Sequence, residues 1–213
     1  MSKIMNIAFL VFVLLYMLGL FYMVDFLWLL KIIPITILGG NVYKTQPSLS
    51  RTMLIMALVL SGCGDLLLAI DEFIFGVAVF LLAQLSYALI FKAYWQGISI
   101  RWAMSAGLLI YMLFMAWLLL PNLGDLQLPV MAYLLTIAAM GLLALHSSLP
   151  MRWAVLGALV FIISDSFIAI NKFVSPLPFA SYWIMSTYYA AQFMLVTSLV
   201  SSSRQLEKIT PLK

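Results

Sequence analysis

Two aspartates stand in the middle of apolar stretches of this sequence, and their type and setting point to chemistry. Asp165 lies within FIISDSFIAINKF, and Asp65 lies within GDLLLAIDEF. An isolated aspartate in the hydrocarbon layer of a membrane costs about 3 kcal/mol on insertion scales. A chain keeps such a residue only where a partner or a function compensates for this cost, so both aspartates are predicted to be functional.

The two acidic segments are copies of one pattern. Gly64–Phe73 and Ser164–Phe173 both contain a small residue, Asp, three variable residues, Ala-Ile, two variable residues and Phe, one hundred positions apart. Ala-Gln also recurs about eleven residues into the following helix of each copy, at Gln84 and Gln192. The chain is therefore predicted to be a parallel duplication of two four-helix halves, residues 1–99 and 100–200, with a site near the axis between them.

Composition fixes the class of protein. Of 213 residues, 66% are hydrophobic and 8% are charged, which is far more apolar surface than a soluble domain of this size can bury. Without alternating-strand signatures, a helix bundle is the structure that satisfies the backbone in lipid. We expect an all-α, polytopic transmembrane bundle of about eight helices, forming one domain over residues 1–213.

The apolar runs place the eight helices. Asp25 marks a turn after the first helix, a polar loop follows the second over Gly39–Ser50, and residues 201–213 form a polar cytoplasmic tail. The predicted helices are Ile4–Val24, Phe26–Leu38, Thr52–Ile70, Phe73–Phe91, Trp102–Leu120, Leu128–Leu145, Trp153–Asn171 and Ser181–Val200.

Loop charges predict the orientation. With a cytoplasmic N-terminus, one side receives nine of the basic residues: Lys3, Lys44, Arg51, Lys92, Arg101, Arg152, Arg204, Lys208 and Lys213. The other side receives the lone Lys172, with Asp25, Asp71, Glu72 and Asp125. This asymmetry follows the positive-inside rule and predicts cytoplasmic termini. The absence of eukaryotic retention or lipidation signals favours a bacterial inner membrane.

The other polar residues of the spans fall at a depth similar to that of the aspartates. A rise of 1.5 Å per residue places Lys31, Tyr133, Tyr188 and Tyr189 in the same layer, with Gln84 and Gln192 slightly deeper. This layer predicts a pocket that opens to the non-cytoplasmic side. The alternative is structural: Gln84 and Tyr87 could be interhelical hydrogen-bond partners, and Lys31 only a counter-ion for a buried aspartate.

Several function classes are unsupported by the composition. The net charge of +4 comes from loop residues, so it does not indicate a nucleic-acid partner. A single cysteine, Cys63, excludes an internal disulfide, and with a single histidine, His146, it cannot build a His/Cys metal site. His146, at the cytoplasmic end of the sixth helix, is expected to be solvated. No metal and no cofactor is expected.

A series of short motifs extends across nearly the whole chain, in the order in which one known family has them. They are Lys31-x-x-Pro34, Gly64-Asp65, FGVAVFLLAQLSY over Phe75–Tyr87, Tyr133 with Met140, Gly157 through SDSFIAINKF, and Thr187-Tyr188-Tyr189-x-x-Gln192. Together they resemble the lysoplasmalogenase family of eight-helix membrane proteins, the YhhN-like proteins. One departure lies in the fourth helix, where the family often has His-x-x-Tyr and this chain has Gln84-Leu-Ser-Tyr87. Glutamine keeps the hydrogen bonding of histidine but cannot transfer a proton.

The resemblance implies hydrolysis of the vinyl ether bond of a lysoplasmalogen, giving a fatty aldehyde and glycerophosphoethanolamine or glycerophosphocholine. The substrate would be a lysophospholipid drawn from the bilayer. Two carboxyls, one protonated and one ionised, suit this reaction because glycosidases divide the labour in the same way for a related cation. Asp65 and Asp165 are the predicted catalytic pair. The predicted substrate-binding residues are Lys31, Gln84, Tyr87, Tyr133, Asn171, Tyr188, Tyr189 and Gln192.

Two other functions stay open. Paired intramembrane carboxylates in repeated helices also suit a proton-coupled transporter. Alternatively, the pocket binds lipid without turnover because Gln84 has replaced a required base. An enzyme releases aldehyde in detergent, whereas a transporter needs a sealed membrane and a gradient.

Overall fold

The computed structural model describes residues 3–24, 27–98 and 101–209, apart from the side chains of residues 203–209. These residues form eight α-helices, two short 3₁₀ helices and no strand, which confirms the predicted all-α, eight-helix class. The helices are α1 Lys3–Tyr22, α2 Leu27–Tyr43, α3 Leu49–Ala69, α4 Phe73–Ala93, α5 Trp102–Leu119, α6 Gln127–Leu145, α7 Ala154–Phe173 and α8 Ala180–Ile209.

Six helices are long and apolar enough to cross a membrane, namely α1 and α3 to α7. The 17-residue α2 is apolar but shorter. This pattern makes the chain a multi-pass membrane protein. Within the bundle α1 and α5 are the least buried of the six, so they lie at its periphery.

Helix boundaries differ most from the prediction at the ends of α2 and α8, and α3 also begins three residues early, at Leu49 instead of Thr52. The predicted loop from Gly39 is wrong at its start, because α2 continues to Tyr43. Its buried face, Ile35, Leu38 and Val42, keeps helical spacing through the Gly39-Gly40 pair. The chain then turns over residues 44–48, where Ser48 caps α3 by accepting a hydrogen bond from the Arg51 N–H at 3.1 Å.

The second difference is the length of α8. Its backbone stays helical to Ile209, nine residues beyond the predicted end at Val200. No Gly or Pro stands between those two positions, so nothing in the sequence stops the helix there. Four predicted features lie outside the described residues: the turn at Asp25, the start of the second helix at Phe26, the boundary between the halves at residues 99 and 100, and the end of the tail at Lys213. The side chains of Arg204 and Lys208 also lie outside them.

The helices pack in two related sets. In one half α1 packs on α2, α2 on α3 and α3 on α4; in the other half α5 packs on α6, α6 on α7 and α7 on α8. Between the halves α4 packs on α6, and its counterpart α8 packs on α2. This is the arrangement expected of two parallel four-helix repeats, although the duplication itself stays a prediction.

Equivalent residues meet between the halves. Phe73 and Phe173, the last residues of the two acidic motifs, pack edge to face with ring centroids 5.5 Å apart. The ends of α3 and α7 therefore face each other at one end of the bundle, which we call the site end. The turns between α1 and α2 and between α5 and α6 lie at the same end because neighbouring helices alternate in direction.

Candidate active site

A buried ion pair joins α2 to α3. Lys31 Nζ lies 2.9 Å from Asp65 Oδ1, and the side chains are 14% and 4% exposed. Lys31 lies on α2, one turn before Pro34. Because proline has no N–H, the backbone carbonyl of Leu30 lacks its usual hydrogen bond within the helix. Beside that interruption the Tyr189 hydroxyl donates to the backbone carbonyl of Lys31 at 2.8 Å. Helix α8 thus holds the backbone from which the lysine extends.

Asp165 on α7 has a different partner. The hydroxyl of Tyr133, on α6, donates a hydrogen bond to its Oδ2. Asp165 forms no ion pair with any residue in the described part of the chain. It lies close enough to Asp65 for electrostatic interaction between the two carboxyls. The two aspartates thus occupy equivalent sequence positions but differ in charge environment, one beside a cation and the other beside a neutral phenol.

Both carboxyls line one polar cavity of about 250 Å³. The cavity extends to the site end, where the exposed Asp71 and Lys172 also line it. Its full lining is Tyr16, Lys31, Asp65, Leu68, Asp71, Phe73, Phe80, Ser164, Asp165, Ile168, Asn171, Lys172, Ser181, Ile184, Met185 and Tyr188. Of the predicted site residues, five therefore meet here: Lys31, Asp65, Asp165, Asn171 and Tyr188. A smaller apolar cavity of about 50 Å³ adjoins Asp165 and Tyr133.

Two buried polar atoms at this cavity have no hydrogen-bond partner among the described residues. They are Asp65 Oδ2 and the hydroxyl oxygen of Tyr188, on side chains that are close enough to interact with each other. Buried polar atoms are almost always paired. These two are therefore available to a bound substrate or water.

Three other predicted site residues lie behind the cavity wall. Tyr87 donates to Gln192 Oε1 at 2.5 Å, and Gln192 Nε2 donates to Ser61 at 3.1 Å. This chain of hydrogen bonds ties α4, α8 and α3 together. Tyr189 contacts the backbone of Lys31, as described above. None of the three lines the polar cavity, so their contacts are of the kind that fix helix positions.

Gln84 is also buried behind the wall. Its amide lies near the Tyr133 hydroxyl but has no hydrogen bond of normal geometry to any described residue. The equivalent glutamine of the other half, Gln192, is satisfied by Tyr87 and Ser61. The position one hundred residues after Ser61 holds a phenylalanine, Phe161, which has no hydroxyl.

The predicted site residues do not include five polar residues of the cavity, namely Tyr16, Asp71, Ser164, Lys172 and Ser181. Tyr16 on α1 is buried and lines it, and its ring packs edge to face on Tyr189 at 5.8 Å. The only signal for Tyr16 was a phenol inside an otherwise apolar run. The sequence predicts Asp71 and Lys172 only as loop charges that report topology, and the structure places both at the cavity mouth.

His146 corrects one expectation. It is 6% exposed rather than solvated, with Nε2 2.9 Å from the Ser105 hydroxyl and its ring against Trp95. It lies at the end of the bundle opposite the site end. Within the described residues no group of three or more His, Cys, Asp and Glu side chains is arranged to hold a metal ion.

Comparison with known proteins links the chain to one family. The model of the YhhN family matches residues 26–199. Lysoplasmalogenase TMEM86B of Homo sapiens is 35% identical over 181 residues, covering 82% of this chain and 75% of the relative. Lysoplasmalogenase TMEM86A of Bos taurus is 34% identical over 200 residues, covering 84% and 80%.

A bacterial relative is similar as well. The lysoplasmalogenase of Mycobacterium tuberculosis is 34% identical over 161 residues, covering 68% of this chain and 59% of the relative. No solved structure matches the chain significantly.

Proposed function

This chain belongs to the YhhN family, and from that premise we propose that it is a lysoplasmalogenase. It hydrolyses the vinyl ether bond of a lysoplasmalogen to a fatty aldehyde and glycerophosphoethanolamine or glycerophosphocholine. The observation that carries the proposal is the pair of carboxyls with unlike partners in one cavity inside a membrane bundle. Two-carboxyl catalysis needs this asymmetry, since one group must give a proton while the other is ionised.

The partners of the two carboxyls suggest their roles. Asp65 is the ionised member because Lys31 stands at 2.9 Å from it. Asp165 is the proton donor because its polar partner is a neutral hydroxyl, that of Tyr133. A hydroxyl that holds one oxygen of the carboxyl leaves the other oxygen to carry the proton, so Tyr133 is the positioning residue for the acid.

The reaction then follows the chemistry of enol ethers. Asp165 transfers its proton to the β-carbon of the vinyl ether, which leaves an oxocarbenium ion at the carbon bonded to oxygen. Asp65 stabilises this cation and takes a proton from the water that attacks it, giving a hemiacetal. Asp165 removes the hemiacetal hydroxyl proton while Asp65 returns its proton to the glycerol oxygen. Aldehyde and alcohol leave, one water is consumed, and both carboxyls regain their starting state.

The hydroxyl of Tyr188 is positioned to help in the hydration step. It lies beside Asp65 and forms no hydrogen bond of normal geometry to a described residue, so it can bind the ether oxygen or the attacking water. Lys31 holds Asp65 ionised. Tyr87, Tyr189 and Gln192 support the helices that carry these groups, and Gln84 lies behind Tyr133.

Aldehyde release by the purified protein in detergent tests the function and the site together. The substrate is an alkenyl lysophospholipid, and the matching alkyl and acyl lysolipids serve as controls. Asp65→Asn and Asp165→Asn keep the shape of the side chain but remove its acid–base function, so each should lower turnover by about 10²- to 10⁴-fold. Because Asp65→Asn also leaves Lys31 without its carboxylate, turnover is compared per amount of folded protein. Full activity in either variant would remove that aspartate from the mechanism.

A second outcome would favour another function. Paired carboxylates in repeated helices also suit a proton-coupled carrier. Folded protein that releases no aldehyde in detergent, yet moves lysolipid across sealed vesicles under a proton gradient, would show that the carboxyls serve transport.

A further inference from the structure

The two acidic motifs, one in each half of the chain, have opposite charges near their ends at the cavity mouth. Aligned at one hundred residues, Asp71 corresponds to Asn171 and Glu72 corresponds to Lys172. One half therefore brings two carboxylates to the site end where the other brings an amide and an ammonium. The surrounding motif is otherwise retained, down to the phenylalanine that follows each pair.

Packing places these opposite charges at one opening. Asp71 and Lys172 both line the cavity and are exposed. The contact between Phe73 and Phe173 joins the two chain segments, and Lys172 Nζ lies 5.1 Å from the centroid of the Phe73 ring. Asp71 has a positive φ of 63°, a conformation that few residues other than Gly, Asn and Asp adopt readily. It ends the α3 segment in a turn at the mouth.

The two charges do not neutralise each other. No ion pair joins Lys172 to Asp71 or Glu72 in the described part of the chain. The opening therefore has an exposed ammonium and an exposed carboxylate that are not paired with each other.

We propose that the mouth of the cavity binds the zwitterionic headgroup of the substrate, with the phosphate at Lys172 and the ammonium at Asp71. This inference rests on the proposed function and adds the residues that select the headgroup. A phosphoethanolamine or phosphocholine group has one negative and one positive centre, which matches the two sides of the mouth. A phosphate monoester or phosphoglycerol headgroup has no cation for Asp71 to bind.

The depth of the cavity agrees with this placement. Lys172 follows Asp165 by seven residues along α7, which puts its backbone about 10 Å from that of Asp165 along the helix axis. Asp71 follows Asp65 by six residues and lies just beyond the end of α3. The glycerol unit separates the phosphate from the ether oxygen by three carbons. A headgroup at the mouth therefore directs the vinyl ether inward, toward Asp65 and Asp165.

The experiment compares two alkenyl lysolipids that differ only in the headgroup, phosphoethanolamine and phosphoglycerol. Lys172→Gln should raise KM for both lipids by about fivefold, because both contain the phosphate. Asp71→Asn should raise KM about fivefold for the ethanolamine lipid and should leave KM unchanged or lower for the glycerol lipid. Asp125→Asn, which removes an exposed acid elsewhere at the same end, is the matched control and should behave as the unchanged protein.

Binding separates failure of this inference from failure of the proposed function. Titration of the same variants with the non-cleavable alkyl analogues measures headgroup preference without turnover. A preference lost in Asp71→Asn upholds the inference even if no aldehyde is released. If Asp71→Asn weakens the binding of both lipids equally, Asp71 has a structural role only. If it changes the affinity for neither lipid, Asp71 does not take part in binding. Either result overturns the inference, whatever the protein hydrolyses.

Discussion

The two aspartates show how far residue type alone leads. Asp65 and Asp165 could be found from the sequence because each is a charged residue inside an apolar run and because the run is repeated. Their partners could not be found in the same way. Lys31 lies on a helix next to that of Asp65, and Tyr133 lies on a helix next to that of Asp165. Only the packing shows that the lysine pairs with Asp65 and that the phenol donates to Asp165. The difference between the two carboxyls is therefore a property of the fold.

Tyr16, Asp71 and Lys172 show where residue-level reasoning stopped. A tyrosine on a peripheral helix is usually packing or interface material, and charges next to helix ends usually report topology. These general interpretations consider one helix at a time, so they do not identify Tyr16, Asp71 and Lys172 as cavity residues. The cavity lies between helices from both halves.

The Lys31–Asp65 pair allows a test of charge compensation. Lys31→Met removes the cation from a carboxylate that is 4% exposed, and loss of one partner of a buried pair costs about 3–5 kcal/mol. Adding Asp65→Asn to Lys31→Met should recover most of that stability, because no uncompensated charge remains. Activity should stay absent in the double variant.

Thermal unfolding in detergent of the unchanged protein, the two single variants and the double variant measures this coupling. Simple addition of the two single effects would mean that the residues do not interact energetically, and Lys31 would then not be the group that holds Asp65 ionised.

At the scale of elements, the position of Asp65 depends on how closely α3 approaches α4. Gly64 is buried at their contact, and a Cβ there would lie 2.6 Å from Cδ2 of Phe80. Phe80 in turn packs on the Tyr188 ring and lines the polar cavity. In the other half Ser164 holds the equivalent position and donates to the carbonyl of Ile184 at 2.9 Å, so the two copies make different interhelical contacts beside their aspartates.

Gly64→Ala tests the need for this close approach. The added methyl must displace the Phe80 ring, and overpacking of this kind costs about 1–3 kcal/mol. We therefore expect a lower unfolding temperature and reduced aldehyde release, since Phe80 lines the same cavity as Asp65. Gly107→Ala is the control because a Cβ there meets no atom within 4 Å, and alanine favours the helix over glycine. Equal behaviour of the two variants would show that α3 and α4 do not require the glycine.

Helix existence could be predicted from the sequence, but three helix boundaries could not. Apolar runs predict all eight helices, and most predicted ends lie within two residues of the observed ones. The exceptions are the end of α2, the start of α3 and the end of α8, where polar or small residues predict a loop but the chain is helical. In α2 the Gly39-Gly40 pair stays helical because its neighbours Leu38 and Val42 are packed in the core, so tertiary contacts overrode local preference.

At the scale of the whole molecule, the packing has the relation that a duplicated chain would have. The inter-half contacts α4–α6 and α8–α2 correspond, and the two acidic motifs converge on one cavity. The two halves also differ where they meet. Lys31 pairs with one aspartate only, and the mouth is acidic on one half and basic on the other. Two similar halves with unlike residues at their contact would provide the asymmetry that the proposed acid–base chemistry needs.

Orientation in the membrane is the last prediction that this architecture makes. Lys44, Arg51, Lys92 and Arg152 stand at the end opposite the site end, which predicts that this opposite end is cytoplasmic and that the cavity opens to the other side.

The chain has one cysteine, the exposed Cys63, so Cys63→Ser gives a clean background for labelling. In that background Asp125→Cys places a thiol at the site end and Gln46→Cys places one at the opposite end, both at exposed positions. In intact bacterial spheroplasts a membrane-impermeant maleimide should label the Asp125→Cys variant and spare the Gln46→Cys variant until the membrane is opened. The reverse pattern would place the cavity mouth in the cytoplasm, so the lysolipid would have to enter from the cytoplasmic leaflet.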